Sequence, residues 1–394
     1  WLDFLRWKLF KMKKILKYFL IVFVSLNLII LVSGKSWLYK GISITYLKGY
    51  TSSYINDFIY LPAKTIKSGK HQEWVTANNY NKAELPDFIN AVNENMETVA
   101  FMVIIKDSIR FEKYWHGYSS DTMSNSFSIS KSWVSTLVGI AIFEGKIKSV
   151  DQKVCDFLPD FCEGKDTELT IKNLLTMSSG LNWNEDYYNP IGQTAEAYFG
   201  NNLGDLMKNL NVVSTPGKVF KYNSACSQLL AFIVEEATGE TISEYASKKL
   251  WQPMGAKHPA LWSTDIVGGD EKGFCCINSN ARDLARLGKL YMHQGNWNGL
   301  QLLDSNYIIE ATTSANLLDE KGNKNTNYGY QFWLAERQGL SIYYSRGLWG
   351  QYVISIPEKD MIIIRLGKKF GPNLPDGHHE DFYQFTDAAL KMYP

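Results

Sequence analysis

Ser128 and Lys131 stand three residues apart where a short polar stretch, Ser124-Asn125-Ser126, gives way to an apolar run. That run, Ser132 to Phe143, is apolar on nearly every face, which reads as a helix buried on most sides. In the first turn of such a helix a hydroxyl and an amine at i and i+3 share a face. A serine with a lysine beside it suits nucleophilic attack on a carbonyl, provided that the amine is neutral. Burial favours that state, because desolvation penalises the ammonium. S-x-x-K alone is weak in a chain of 394 residues. The competing reading is a Ser128 helix cap beside a solvated Lys131.

Three further stretches shift the balance. A Pro216-Gly217 turn leads into Tyr222-Asn223-Ser224, followed by an apolar helix from about Cys226. Tyr344 to Tyr352 sets strand-like residues around Gly347 and Gly350, where a backbone can approach a ligand closely. Leu174 to Trp183 carries the turn Ser178-Ser179-Gly180.

With these four motifs in order, the chain resembles the serine β-lactamase and penicillin-binding-protein superfamily. The likeness is to the class C β-lactamase-like branch, with its esterases, D-amino-acid peptidases and 6-aminohexanoate-dimer hydrolases, and runs from about Thr98 to about Gly367. The family's S-x-x-K falls on Ser128 and Lys131, its tyrosine motif on Tyr222-Asn223-Ser224, and its K-T-G strand on Ser345-Arg346-Gly347. At that strand the chain departs: Ser345 takes the lysine position and Arg346 the threonine position. In β-lactamases the lysine helps to hold the substrate carboxylate, so its loss argues against β-lactam hydrolysis, as does Ser224 where Y-x-N enzymes carry Asn.

The resemblance implies Ser128 as nucleophile and Lys131 with Tyr222 as proton relay. The backbone N–H groups of Ser128 and Leu348 are the expected oxyanion hole, and Ser224, Ser345, Arg346 and Gly347 are expected on the substrate side. A lysine ammonium is expected to lower Tyr222 from its ordinary value near ~10 by favouring the phenolate. Strand alternation leaves Arg346 two options: away from the cleft, or inward to attract a carboxylate. The loop Trp183-Asn184-Glu185-Asp186-Tyr187-Tyr188 is rich in aromatics and carboxylates. Trp183, Asp186 and Tyr187 are its candidates for lining the cleft, against the equal alternative of a solvated connecting loop.

Composition fits an enzyme: 45% hydrophobic residues supply a large core. A formal net charge of +1 gives no reason to expect nucleic acid as a partner. No metal-ligand spacing appears, His378-His379 reads as part of a polar loop, and neither metal nor cofactor is expected. Cys155 and Cys162 could close a small loop, adjacent Cys275 and Cys276 would be strained if paired, and five cysteines leave one thiol over.

Six basic residues between positions 6 and 17 precede an uncharged stretch, Tyr18 to Val32. This reads as a cleaved export signal or a membrane anchor, with the rest exported to the periplasm or outside. Residues 99–105 and 108–115 read as a hairpin, 280–291 and 382–392 as helices, and 340–344, 352–356 and 361–366 as strands. The expected fold is α/β (α+β), a largely antiparallel sheet flanked by helices and interrupted by an all-α domain, as in β-lactamase/transpeptidase-like proteins. Its parts are an export segment 1–34, an extension 35–97 and a hydrolase domain 98–394, α/β over 98–144 and 271–394 and all-α over 145–270. The expected activity is hydrolysis of a small ester, amide or short peptide. The alternatives are a slowly acylated penicillin-binding sensor, a D-amino-acid peptidase or a β-lactamase.

Overall fold

A computed structural model describes residues 1–394. The chain opens with α1 (Leu2–Val32) and α2 (Trp37–Ile44), then β1 (Ala63–Ile66), β2 (Val75–Thr76) and α3 (Asp87–Asn95). The hairpin β3 (Thr98–Ile105) and β4 (Ser108–Tyr114) follows, then β5 (Ser124–Asn125) and α4 (Ile129–Phe143). The helical section comprises α5 (Ile171–Leu175), α6 (Gln193–Phe199), α7 (Leu203–Lys208), α8 (Ser224–Thr238) and α9 (Ile242–Ala246). After it come β6 (Ala260–Ser263), β7 (Ile277–Ser279) and α10 (Ala281–Met292). Two short pairs, β8 (Asn296–Trp297) with β9 (Leu300–Gln301) and β10 (Leu317–Leu318) with β11 (Lys324–Asn325), flank α11 (Ser305–Ala311). The chain closes with β12 (Trp333–Arg337), β13 (Leu340–Gly347), β14 (Gln351–Ile356), β15 (Met361–Gly367) and α12 (Glu380–Met392).

The main sheet has the order β12-β13-β14-β15-β3-β4-β2 and is antiparallel except where β2 meets β4. Its central strands β14 and β15 are buried along their whole length. A strand covered on both faces needs no polar alternation, which explains runs such as Met361-Ile362-Ile363-Ile364. On one face α10 brings Gly288 against Ile362 and α4 brings Ser132 against Ser345. On the other, α12 stacks Phe382 on Tyr344 with ring centroids 4.1 Å apart.

Two expectations need correction. The segment 145–270 is not wholly helical, because β6 lies in it and joins a second antiparallel sheet, β1-β6-β7-β5. The extension 35–97 does more than lead into the fold, since it supplies β1 to that sheet and β2 to the edge of the main one. Strands of two and four residues carry too little alternation to be read from sequence.

The two sheets meet at the candidate nucleophile. A Cβ at Gly347, at the end of β13, would lie 2.1 Å from the Ser126 carbonyl oxygen. Glycine is the residue that lets the strand pass this close to the loop before α4. Gly347→Ala is therefore expected to separate strand and loop, lowering kcat by ~10-fold or more, the scale of a misplaced reacting geometry. Kinetics on the purified variant, beside a circular-dichroism check of folding, measure it; unchanged kcat would show that the contact does not set the geometry.

Candidate active site

Ser128 caps α4 and is partly exposed, whereas Lys131, one turn along, is 1% exposed. The residue before the nucleophile, Phe127, sits at φ +47°, a strained conformation for a side chain of its size. Asn125 stabilises it by accepting from the Phe127 N–H at 2.9 Å. Asn125 is itself held by the Tyr198 hydroxyl, to which it donates at 3.0 Å. Tyr198 donates in turn to the buried carboxylate of Asp57, which burial pushes up to about 6. An N-terminal residue thus braces the turn that presents Ser128.

The Lys131 amine donates to Phe274 O at 2.6 Å and to Ser224 Oγ at 3.0 Å. Burial pushes it down to about 8, with the Glu185 carboxylate opposing that fall. Tyr222 is half-buried, stacked on Trp333 with centroids 5.6 Å apart, and 5.4 Å from the Lys131 amine measured at its ring. Its phenol is raised, not lowered: burial and the Glu185 carboxylate lift it, and the nearby Ser128 hydroxyl and Arg346 only partly counter them. The expected Tyr222 phenolate is thus replaced by a neutral phenol. Lys131 is the group shifted toward its uncharged state.

Glu185 is the site residue that sequence reasoning left out of its candidates. It accepts from the Ser224 hydroxyl and backbone N–H at 2.5 and 2.7 Å, and from Trp183 Nε1 at 2.6 Å and the Tyr187 hydroxyl at 2.5 Å. Its one advance signal was a carboxylate among aromatics. Tyr187 lies half exposed beside Ser224 and Tyr222. Trp183 is buried and does not line the cleft, serving to hold Glu185. Asp186 is exposed and accepts from the Tyr188 N–H, which makes it a turn cap.

The strand candidates also rearrange. Ser224 is buried between Lys131 and Glu185, where its hydroxyl accepts from the amine and donates to the carboxylate. Ser345 is 1% exposed and donates to Ser132 Oγ beneath α4, not into the cleft. Arg346 takes the opposite face. Its guanidinium lies 3.6 Å from the centroid of Trp333, the ring on which Tyr222 also stacks, and donates to Gly377 O, leaving it part-exposed. His378 and His379 are no exposed polar pair: they bond Tyr344 and Tyr352, and burial pushes them down to about 4 and about 3.

The N–H groups of Ser128 and Leu348 donate to no backbone carbonyl of the protein. The turn after β13 that carries Leu348 is fixed from behind by the buried Arg365 guanidinium, which donates to Trp349 O, Gly350 O, Lys369 O and Met96 O. Both possible cysteine pairs are bonded, Cys155–Cys162 and the adjacent Cys275–Cys276, which immediately follows the carbonyl that holds Lys131. Cys226 is the buried free thiol, pushed up to about 12 by burial.

A pH dependence follows. Below about 8 the Lys131 amine is protonated and cannot accept a proton; above it the amine is free. For a neutral ester, kcat/KM is expected to rise with pH through about 8. Lys131→Arg, which stays charged, should lose that limb and ~10²-fold or more of the rate. A flat profile between pH 6 and 9 (bracketing that value) would show that Lys131 does not serve as the base.

The β-lactamase family pattern matches residues 85–387. The 6-aminohexanoate-dimer hydrolase of Paenarthrobacter ureafaciens is 28% identical over 313 residues, 75% of this chain and 78% of the relative. Among solved structures, a candidate 6-aminohexanoate-dimer hydrolase from Bacillus anthracis superposes with a TM-score of 0.71 at 21% identity, over 91% of this chain and 94% of that one. A family VIII carboxylesterase superposes at 0.62 and 16% identity, over 81% and 99%. The match spans most of the sequence and the fold agrees with it: the chain belongs to the β-lactamase family.

Proposed function

We propose that the protein is a serine hydrolase that cleaves an ester or amide bond through an acyl-enzyme on Ser128, held at a membrane surface by α1. One observation carries the reading. A buried lysine amine with a depressed proton affinity sits one helical turn from a part-exposed serine, with a neutral phenol beside both.

In the proposed sequence neutral Lys131 takes the Ser128 proton as the bond from Oγ to the carbonyl carbon forms. The oxygen of the tetrahedral intermediate takes its negative charge toward the N–H groups of Ser128 and Leu348; losing one such donor typically costs about 3 kcal/mol of transition-state stabilisation. Tyr222 protonates the leaving alcohol or amine as its bond to carbon breaks, and the Lys131 ammonium restores the phenol. Water then repeats the sequence on the acyl-enzyme. Ser224 and Glu185 hold the Lys131 amine in place throughout. No step calls on a metal or cofactor.

Two features favour small esters and amides over β-lactams. The strand position that would carry a carboxylate-binding lysine is Ser345, turned under α4. Arg346 already spends its guanidinium on Trp333 and Gly377 O. The relative named for a 6-aminohexanoate dimer, and the carboxylesterase with the same fold, support that range. For α1, an 18-residue window of mean hydropathy 2.5 with no buried residue supports a membrane span, and an export signal passes the same test.

Ser128→Ala should abolish both hydrolysis and labelling by a fluorophosphonate, and labelling that persists at another serine would reject the assignment. A lost charge-assisted anchor is worth ~1.5–3 kcal/mol, so p-nitrophenyl butyrate should be cleaved ~10²-fold more efficiently than nitrocefin. Equal turnover of the two would mean that Arg346 holds the carboxylate after all, and Arg346→Met would then remove the β-lactam activity alone.

A further inference from the structure

The surface around the end of α1 is unusually apolar for a face of an enzyme. Ile42, Tyr46 and Leu47 are exposed on and just after α2, and Ile59, Ile191 and Val267 are exposed on segments that contact residues 35–48, with Leu47 at 75% and Val267 at 90% exposure. They come from four separate segments, and named contacts gather them. Lys35 Nζ donates to Ile191 O at 3.3 Å and pairs with Glu196, Lys40 Nζ donates to Asp265 O at 3.1 Å beside Ile266-Val267, and Lys48 lies over the Tyr60 ring. Tyr39 of α2 donates to Asn27 of α1, so the face is fixed against the helix itself.

The length of α1's uncharged run says what covers this face. Tyr18 to Val32 is 15 residues, about 22 Å of helix, and the 18-residue apolar window is about 27 Å, both short of a hydrocarbon core of ~30 Å. A span that short is accommodated by thinning the bilayer or by drawing its flanks inward. On the side of α2 the flank is this apolar face, joined to α1 by residues 33–36 and by the Tyr39–Asn27 hydrogen bond. Lys35 and Lys40 are tied to the protein, while Lys48, stacked over Tyr60, suits the headgroup layer, where a long basic side chain reaches phosphates as its stem stays apolar.

We propose that this face of the catalytic domain, centred on Leu47 and Val267, docks into the lipid headgroup region of the bilayer that α1 crosses. The proposal rests on the membrane reading of α1. It also sets the loop of Glu185 and Tyr187 close to the lipid, since Ile191 ends that same loop and is tied to Lys35.

The test uses the full chain in phosphatidylcholine–phosphatidylglycerol vesicles. An environment-sensitive fluorophore is attached at Leu47→Cys, Val267→Cys, Val24→Cys on α1, or Ile309→Cys on α11, with native Cys226 buried and out of reach. Lipids bearing a headgroup-level nitroxide then quench whatever lies in the interface. Docking at ~5–10 Å depth should blue-shift the label at 47 and 267 and cost it about half its intensity, with no change at 309. Quenching at 24 by a deep nitroxide, without any at 47 or 267, overturns docking and leaves the span standing. Quenching at 47 and 267 without any at 24 supports docking and removes the span. A blue shift at 47 without quenching, rising with protein concentration, overturns the proposal in favour of a second copy of this chain on the face.

Discussion

Everything at the site depends on keeping one amine dry. Lys131 lies in the first turn of a helix buried on almost every side, and the fall from 10.5 to about 8 corresponds to about 3 kcal/mol against its charged form. Three parts of the chain meet at that nitrogen: α4 supplies it, the start of α8 offers Ser224, and the segment before β7 offers the Phe274 carbonyl. The hydrogen bonds fix where the amine points, while burial fixes its proton affinity. Glu185, held by three side chains, limits how far the affinity falls. Burial and the same carboxylate keep Tyr222 a phenol, so the two titratable groups are pushed apart, as the proposed roles of acceptor and donor require.

A second buried cation does for the backbone what Lys131 does for the proton. Arg365 stands on the α12 side of the sheet and donates to four carbonyls around the turn after β13. Its charge lies near Asp381, and its donors are used in ordering a loop that has no regular structure of its own. Buried donors with several acceptors are a rigid way to hold irregular backbone. The turn of Leu348 and the strained turn of Phe127 are thus each braced from behind, one by Arg365 and the other by the chain from Asp57 through Tyr198 to Asn125.

Much of this was legible in the sequence because the informative signals are local. Ser128, Lys131 and Tyr222 announce themselves by spacing and by the apolar helices that follow them. The long strands β3, β4 and β13 to β15 show themselves by continuous apolar runs. What escaped was settled by distant partners. Nothing in Trp183-Asn184-Glu185 reveals that the carboxylate reaches the first residue of α8. The direction of the Tyr222 shift was misread because its burial, the larger cause, and the reach of Glu185 to the site both depend on distant partners. Ser345 and Arg346 were known to face opposite ways, but the sequence does not say which face of β13 α4 covers. Strands β1, β2, β5 and β6 are too short for periodicity to register.

The junction of residues 33–36 also has a kinetic meaning. Four residues fully extended reach at most about 14 Å, and here α2 is already bonded back to α1. On the proposed membrane reading of α1, the cleft would not roam a volume; it would patrol a thin layer at one height. The proposed turnover would then follow the surface density of enzyme and the arrival of substrate at that layer. Small, diffusible molecules would meet such a cleft freely, whereas a bond inside a large rigid polymer would be within its reach only where the polymer comes down to the membrane.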